Sequence, residues 1–359
     1  MNTTTHPQTD ASPEPATSAT VTMRAIVQDR YGSSDTWQLT ETDRPEIKAH
    51  EVLLDVHAAG LDRGTWHAMT GRPYLMRIMG FGLRSPKNRV PGRAVAGTVA
   101  AIGANVTRFT VGDEVFGVSR GAFADYAAAS EDKLAHKPST LTFEQAAAVP
   151  ISATTALQGL RLGRIQAAQK VLIIGASGGV GTYAVQLGKA YGAEVTAVCS
   201  AGKADLVRSL GADHAIDYAT EDFTDGSSRY DLILDIAGNN SLRRLRRTLK
   251  PTGSLVIVGG EGKGNITGGF GRSLRAPLVS IFVRPRLTML VSKEHHADLA
   301  PLTDLIDAGR LTPSIDATYT LSQAPEAMRQ LEAGTVRGKI CITMPPPSPR
   351  SGSVNGHIG

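Results

Sequence analysis

Gly175, Gly178 and Gly181 stand three residues apart, directly behind the apolar run Val171, Leu172, Ile173 and Ile174. Glycines at that spacing do three things a side chain prevents. They make a tight turn, let backbone approach a pyrophosphate, and let a helix pack closely on its strand. Val180, Ala184, Leu187 and Tyr191 then recur at helical spacing, and a second apolar run fills 194–199. The helix opening there points unpaired N–H groups and its positive dipole end at the phosphates. Strand, glycine turn, helix and strand in this order predict a dinucleotide site, with Ser177, Gly179 and Val180 completing the turn.

The residue after the second strand selects the dinucleotide. A fold of this kind that takes NAD places a carboxylate there to bond the ribose 2′-OH. Here Ser200 occupies the place, followed by Lys203 and Arg208. With no carboxylate to repel it and a cation in reach, a 2′-phosphate is favoured, so NADPH is expected and NADH is the alternative. The competing interpretation makes Lys203 an ordinary surface lysine. Nucleophilic catalysis is not expected, since Cys199 ends a sheet strand.

The elements that must carry this site follow from the rest of the chain. Its 359 residues suit two domains, and 41% apolar with 20% charged residues describe a globular protein. No apolar run approaches the ~20 residues of a membrane span. No Lys or Arg precedes Arg24, and no apolar core stands there, so neither a signal nor a transit peptide is expected. Two cysteines, Cys199 and Cys341, each in a strand-like run, suggest a reducing, cytoplasmic setting. The net charge of +5 is densest at Arg243, Arg244, Arg246, Arg247 and Lys250. Leu242, Leu245 and Leu249 fall on the opposite face of that helix, so the arginines read as a solvated face and no nucleic-acid partner is expected.

Residues 1–22 and 345–359 read as disordered tails rich in Thr, Ser, Pro and Gly. Short strands at 24–28, 51–58, 95–102 and 114–118, punctuated by glycines, predict an irregular β-barrel. A helix is expected over 143–160 around a break at Pro150. From residue 171 the pattern becomes strand–helix–strand, with strands at 171–176, 194–199, 214–217, 232–235, 254–258 and 287–291. Helices are expected at 178–191, 204–210 and 241–249, giving a doubly wound sheet. Helices at 299–308 and 324–333, an extended run at 317–320 and a strand at 339–343 follow. The segment 260–286 has the length and glycine content of a lid over a substrate.

This order resembles the medium-chain dehydrogenase/reductase superfamily, in its zinc-independent, quinone-oxidoreductase-like branch. The matching pieces are Pro91-Gly92 with Gly97-Thr98-Val99, Gly112-Asp113-Glu114-Val115 and Ala146 through Pro150. They continue with Ala153 to Ala156, Gly175 to Gly181, Leu210 to His214, Asp231 to Gly238 and Gly338-Lys339-Ile340. The resemblance implies an α/β protein with a GroES-like catalytic domain at 23–147 and 292–344 and a Rossmann NADP-binding domain at 148–291. It places Tyr218 beside the 2′-phosphate, and Thr155, Gly259 and Lys339 near the nicotinamide. In zinc-dependent members of the superfamily the ligand positions correspond here to Asp62, Arg93-Ala94 and Pro150-Ile151, an unsuitable set. The adjacent pair His295-His296 has no matching third ligand, so no metal is expected.

Residues 62–74 correspond to the relatives' substrate-facing loop. There Asp62 stands for the metal cysteine or an asparagine, and His67 for a proton-relay residue. Tyr74 is a hydrogen-bond or proton donor, and Arg63 a phosphate contact. Trp66 reads as packing. The function implied is hydride transfer from NADPH to a quinone or an α,β-unsaturated carbonyl. An alcohol or aldehyde dehydrogenase, and a non-catalytic NADPH-binding sensor, are the alternatives. A small-molecule substrate is expected, with no membrane partner, and a homodimer could form through the strand at 287–291.

Overall fold

The computed structural model of the chain describes residues 21–237, 240–259, 268 and 270–344. Both expected tails lie outside these residues, apart from Val21 and Thr22. Thr22 is a correction: it opens strand β1 (Thr22–Val27), which pairs antiparallel with β2 (Gln38–Asp43). β2 carries no apolar alternation that would mark it, because all six of its residues face water at least partly.

The barrel sheet is built around β3 (Glu51–Leu61), which is buried on both faces over most of its length, at Val52, Leu53 and Leu54 and again from Ala58 to Leu61. Beyond it come α1 (Arg63–Thr70), β4 (Ala94–Ile102), β5 (Glu114–Val118), β6 (Tyr126–Ser130) and β7 (Leu134–His136). Then α2 (Phe143–Ala148) and α3 (Pro150–Leu162) form the helix expected over 143–160, split at Val149. Proline tolerates only the first turn of a helix, so Pro150 begins the second one.

The second sheet holds β8 (Lys170–Ile174), β9 (Glu194–Cys199) and β10 (His214–Asp217), with α4 (Gly179–Ala190) and α5 (Ala204–Ser209) among them. It continues through β11 (Tyr230–Asp235), α6 (Leu242–Arg247), β12 (Leu249–Ile257), α7 (Phe270–Ser280) and β13 (Arg286–Met289). All these strands are parallel, in the order β10-β9-β8-β11-β12-β13. Strand order reverses between β8 and β11, and ligands bind in the crevice outside the carboxyl ends at such a point.

The chain then returns to the barrel through α8 (His296–Asp307), β14 (Ile315–Thr320), α9 (Ala324–Glu332) and β15 (Lys339–Thr343). β15 pairs antiparallel with β3 and parallel with β14, which closes the barrel sheet at that edge. One apolar core joins the two sheets. It runs from Ala58 and Phe116 of the barrel through Ala147 and Leu157 to Ile173 and Tyr183. Each large apolar side chain so buried contributes about 1.5–3 kcal/mol.

The loop expected at 260–286 needs correcting. Residues 260–267 and 269 lie outside the described residues, but 270–280 form α7, with Pro277 inside it. Ala276 is fully buried on α7 and Arg272 pairs with the buried Asp235, so tertiary contacts override a glycine- and proline-bearing sequence. The solvated arginine face holds: on α6 Leu245 is fully buried while Arg243 and Arg247 are exposed.

Candidate active site

β8 delivers the glycine turn. Gly175 has φ +84, the left-handed region glycine adopts freely. A Cβ on Gly181 would stand 2.2 Å from the Gly175 carbonyl oxygen, so glycine there is required by chain packing. Gly178 differs, because a Cβ there would meet only that same oxygen, at 3.6 Å. It caps the N-terminus of α4 without a side chain, leaving the helix's first N–H groups open to a phosphate. The turn is clamped from the barrel: the Gly338 N–H donates to the Ser177 carbonyl at 2.9 Å, and Gly178 bridges Gly338. Val180 is half-buried against the sheet.

Ser200 follows β9 and Tyr218 follows β10, so both reach the carboxyl edge of the sheet. With Gly175, Ser177 and Lys203 they line a cleft of about 640 Å³. Lys203 is more committed than its sequence suggested. Its ammonium donates to the carbonyls of Gly334 and Val336, both at 2.8 Å, leaving one N–H for a ligand. Burial there holds its pKa below the usual lysine value. The same cleft holds Arg244, which sequence reasoning assigned wholly to the solvated face. Its guanidinium is fixed by Asp222, at 2.7 Å to both oxygens, and by the Thr224 hydroxyl at 2.8 Å. Only its proximity to the glycine turn in space marks it, and spacing alone does not encode that.

At the other end of the turn, Lys339 takes an unexpected position. Its ammonium is buried and donates to the Leu61 carbonyl at 2.9 Å. Its stem lies where a Cβ on Gly179 would approach to 2.9 Å. Lys339 therefore props the turn from the barrel side instead of facing open space. Burial lowers its pKa, partly offset by the Asp62 carboxylate. Thr155 returns its hydroxyl to the Ile151 carbonyl at 2.7 Å. Gly259 is required by packing, since a Cβ would stand 1.9 Å from the Ile236 carbonyl oxygen.

The expected trio Asp62, His67 and Tyr74 is not assembled. Asp62 caps α1, one carboxylate oxygen accepting the Thr65 N–H at 3.0 Å, while Oδ2 is buried with no hydrogen-bond partner among the described residues. His67 Nδ1 bonds the Arg72 carbonyl at 2.7 Å. Tyr74 is 41% exposed and lies under the Arg77 guanidinium. None of the three lines the second cavity, about 420 Å³ in the barrel, which Thr65, Met69, Phe81, Arg93 and Ser119 do line. Trp66 does more than pack, donating to Glu332 at 2.7 Å. The turn Gly175-Ala176-Ser177-Gly178-Gly179 also spells the spacing of a serine nucleophile elbow. No histidine bonds Ser177 among the described residues, and burial pushes the Cys341 thiol up to about 12, so nucleophilic catalysis stays unsupported.

Comparison with known proteins places this geometry. Residues 48–139 match the alcohol dehydrogenase GroES-like domain, and residues 210–342 match the family described as zinc-binding dehydrogenase. The chain is 31% identical over 349 residues to 2-methylene-furan-3-one reductase of Solanum lycopersicum, covering 92% of this chain and 82% of that one. It is 32% identical over 335 residues to the chloroplastic NADPH-dependent alkenal/one oxidoreductase of Arabidopsis thaliana, covering 89% and 79%. The solved quinone oxidoreductase from Coxiella burnetii superposes with TM-score 0.81 at 29% identity, covering 90% of this chain and 99% of that one. The chain belongs to the medium-chain dehydrogenase/reductase superfamily, quinone-oxidoreductase-like branch.

Within that superfamily it is a nicotinamide-dependent oxidoreductase, and the donor set where some members hold zinc can be tested on side chains. Asp62 is spent on a helix cap, Arg93 carries a positive charge paired with Glu294, Ala94 is buried in β4, and Pro150 opens α3. A guanidinium and two side chains without donor atoms do not fit zinc. His295 caps α8 by accepting the Ala297 N–H at 3.1 Å. Among the described residues no group of three or more His, Cys, Asp or Glu could hold a metal. No described helix is long and apolar enough to cross a membrane.

Proposed function

We propose that the protein is a zinc-independent, NADPH-dependent reductase that passes hydride to a quinone or an α,β-unsaturated carbonyl. The observation that carries this is the side chain at one implied ligand position: Arg93 is a guanidinium ion-paired to Glu294, with no lone pair to offer a metal. An isolated carbonyl reduced without a metal must bear full alkoxide charge, whereas a conjugated acceptor spreads it. Relatives named as enone, alkenal and quinone reductases support the same class.

The bound nicotinamide supplies the hydride, and this chain binds, orients and shields it. The open N–H groups in the first turn of α4 hold the pyrophosphate, and Ser200, Tyr218 and the remaining Lys203 donor hold the 2′-phosphate. Tyr74, whose hydroxyl bonds nothing among the described residues, serves as donor to the acceptor oxygen. The reading includes a cytoplasmic location and a homodimer through β13, the last strand of the sheet among the described residues.

The test is NADPH consumption across quinones, conjugated enones and short saturated alcohol–carbonyl couples, with and without chelator. Quinones or enones should turn over well above the saturated couples, with no loss in chelator. Tyr74→Phe should lower kcat by roughly tenfold or more while leaving NADPH affinity near its wild-type value. Loss of activity in chelator, or saturated alcohols proving best, would overturn the reading.

A further inference from the structure

The barrel cavity of about 420 Å³ shares no lining residue with the cofactor cleft. We propose that it receives an anionic group of the acceptor, so that the preferred substrates are conjugated carbonyls or quinones carrying a carboxylate or phosphate. This rests on the reductase reading and names the substrate class within it.

Charge is the first observation. Lys87, Arg93, Arg120 and Lys133 all line the cavity, and Glu51 is its only acidic lining residue. Arg120 takes Glu51 at 2.9 Å, while Arg93 and Lys133 share Glu294 from the segment after β13. Lys87 has no ion-pair partner among the described residues and stands exposed at the mouth. Four cations thus face two carboxylates around one cavity, and a positive, concave wall concentrates anions.

The second observation is an unsatisfied donor inside. Ser119 is 5% exposed and lines the cavity, and its hydroxyl has no hydrogen-bond partner among the described residues. Buried hydroxyls are nearly always bonded, so an orphan one beside a cavity points to a ligand oxygen. Met69, Met79 and Phe81 supply the apolar surface that a flat conjugated body needs.

Position is the third. Thr65 lines the cavity and bonds the Asp62 carboxylate, which acts electrostatically on Lys339, whose stem rests on Gly179 of the phosphate turn. The cavity wall is therefore separated from the cofactor turn by two side chains. The proposal has the anionic tail held by Lys87 and Ser119 and the conjugated end directed at the Thr65 wall.

The experiment compares β-acetylacrylate, an enone bearing a carboxylate, with its methyl ester. Binding to the NADP⁺-loaded protein is read by calorimetry, and kcat/KM by NADPH consumption. The ester is the more electrophilic, so reactivity alone favours it. The proposal expects the acid to bind, and to turn over, about tenfold or more better at low salt. That preference should collapse toward unity near 1 M salt, where screening is short-ranged. Lys87→Gln and Ser119→Ala should each cut the acid-over-ester ratio several-fold. An ester equal to or better than the acid in binding overturns the proposal, as does a ratio indifferent to salt and to both variants. If the acid binds preferentially but neither compound, nor any neutral quinone, consumes NADPH, the anion site stands and the reductase reading falls.

Discussion

Ser200 follows β9, at the place where a NAD-binding fold of this kind puts a carboxylate on the ribose, so it is the side chain on which the proposed preference for NADPH is tested. Ser200→Asp would place a negative charge against the 2′-phosphate and offer a bond to a bare 2′-OH. A charge-assisted contact is worth ~1.5–3 kcal/mol, so NADPH affinity should fall roughly ten- to a hundredfold while NADH gains. Titrating both cofactors by fluorescence checks this, and equal affinities in wild type and variant would refute it. Lys339 makes a second residue-scale prediction. Burial lowers its pKa in the folded chain, so between that value and the ordinary lysine 10.5 the unfolded chain binds a proton that the folded chain lacks. Stability from this group therefore rises with pH through that window. In Lys339→Met that rise should vanish, which denaturant unfolding of both proteins from neutral to alkaline pH will read.

Elements divide by how locally they are specified. β8, β9 and β11 were legible because strands buried on both faces are written as unbroken apolar runs, and the glycines of the turn are demanded by backbone contact. β2 was invisible, since its residues are nearly all exposed and its register comes from β1. α7 was mistaken for loop, because its stability comes from Arg272 on Asp235 and from buried Ala276, neither local in sequence. The acceptor side was least legible for the same reason. Thr65, Arg93, Ser119 and Lys133 lie on separate segments of the chain and become a site only when the barrel closes. Gly259 tests how tightly the ends of β11 and β12 approach. Gly259→Ala forces a Cβ into a backbone carbonyl 1.9 Å away, which no rotamer relieves. A loss of about 1–3 kcal/mol, visible as a lower Tm, is expected, by analogy with overpacking. Gly202→Ala, with nothing within 4 Å of its Cβ, should stay within a few tenths of wild type and serves as control.

For the whole molecule, β13 ends the sheet among the described residues, beside a run of exposed apolar residues. Leu278, Ile281 and Phe282 are 62%, 75% and 86% exposed, more than isolated surface residues explain. A second copy related by a two-fold would pair edge with edge and cover them. Sedimentation should show a dimer, and Phe282→Glu should yield monomers that keep their fold by circular dichroism. A wild-type monomer at all concentrations would refute the pairing.

The clamp between Gly338 and the Ser177–Gly178 turn has a consequence in time. Translation delivers the nucleotide-binding strands long before β15, so a nascent chain carries a phosphate turn that nothing yet holds from outside. Only when residue 338 clears the ribosome can Lys339 slide beneath Gly179 and the barrel edge lock onto β3. A chain cut short by its final strand should lose both this clamp and the buried Ile340 and Ile342 of the barrel, and with them its hold on the dinucleotide.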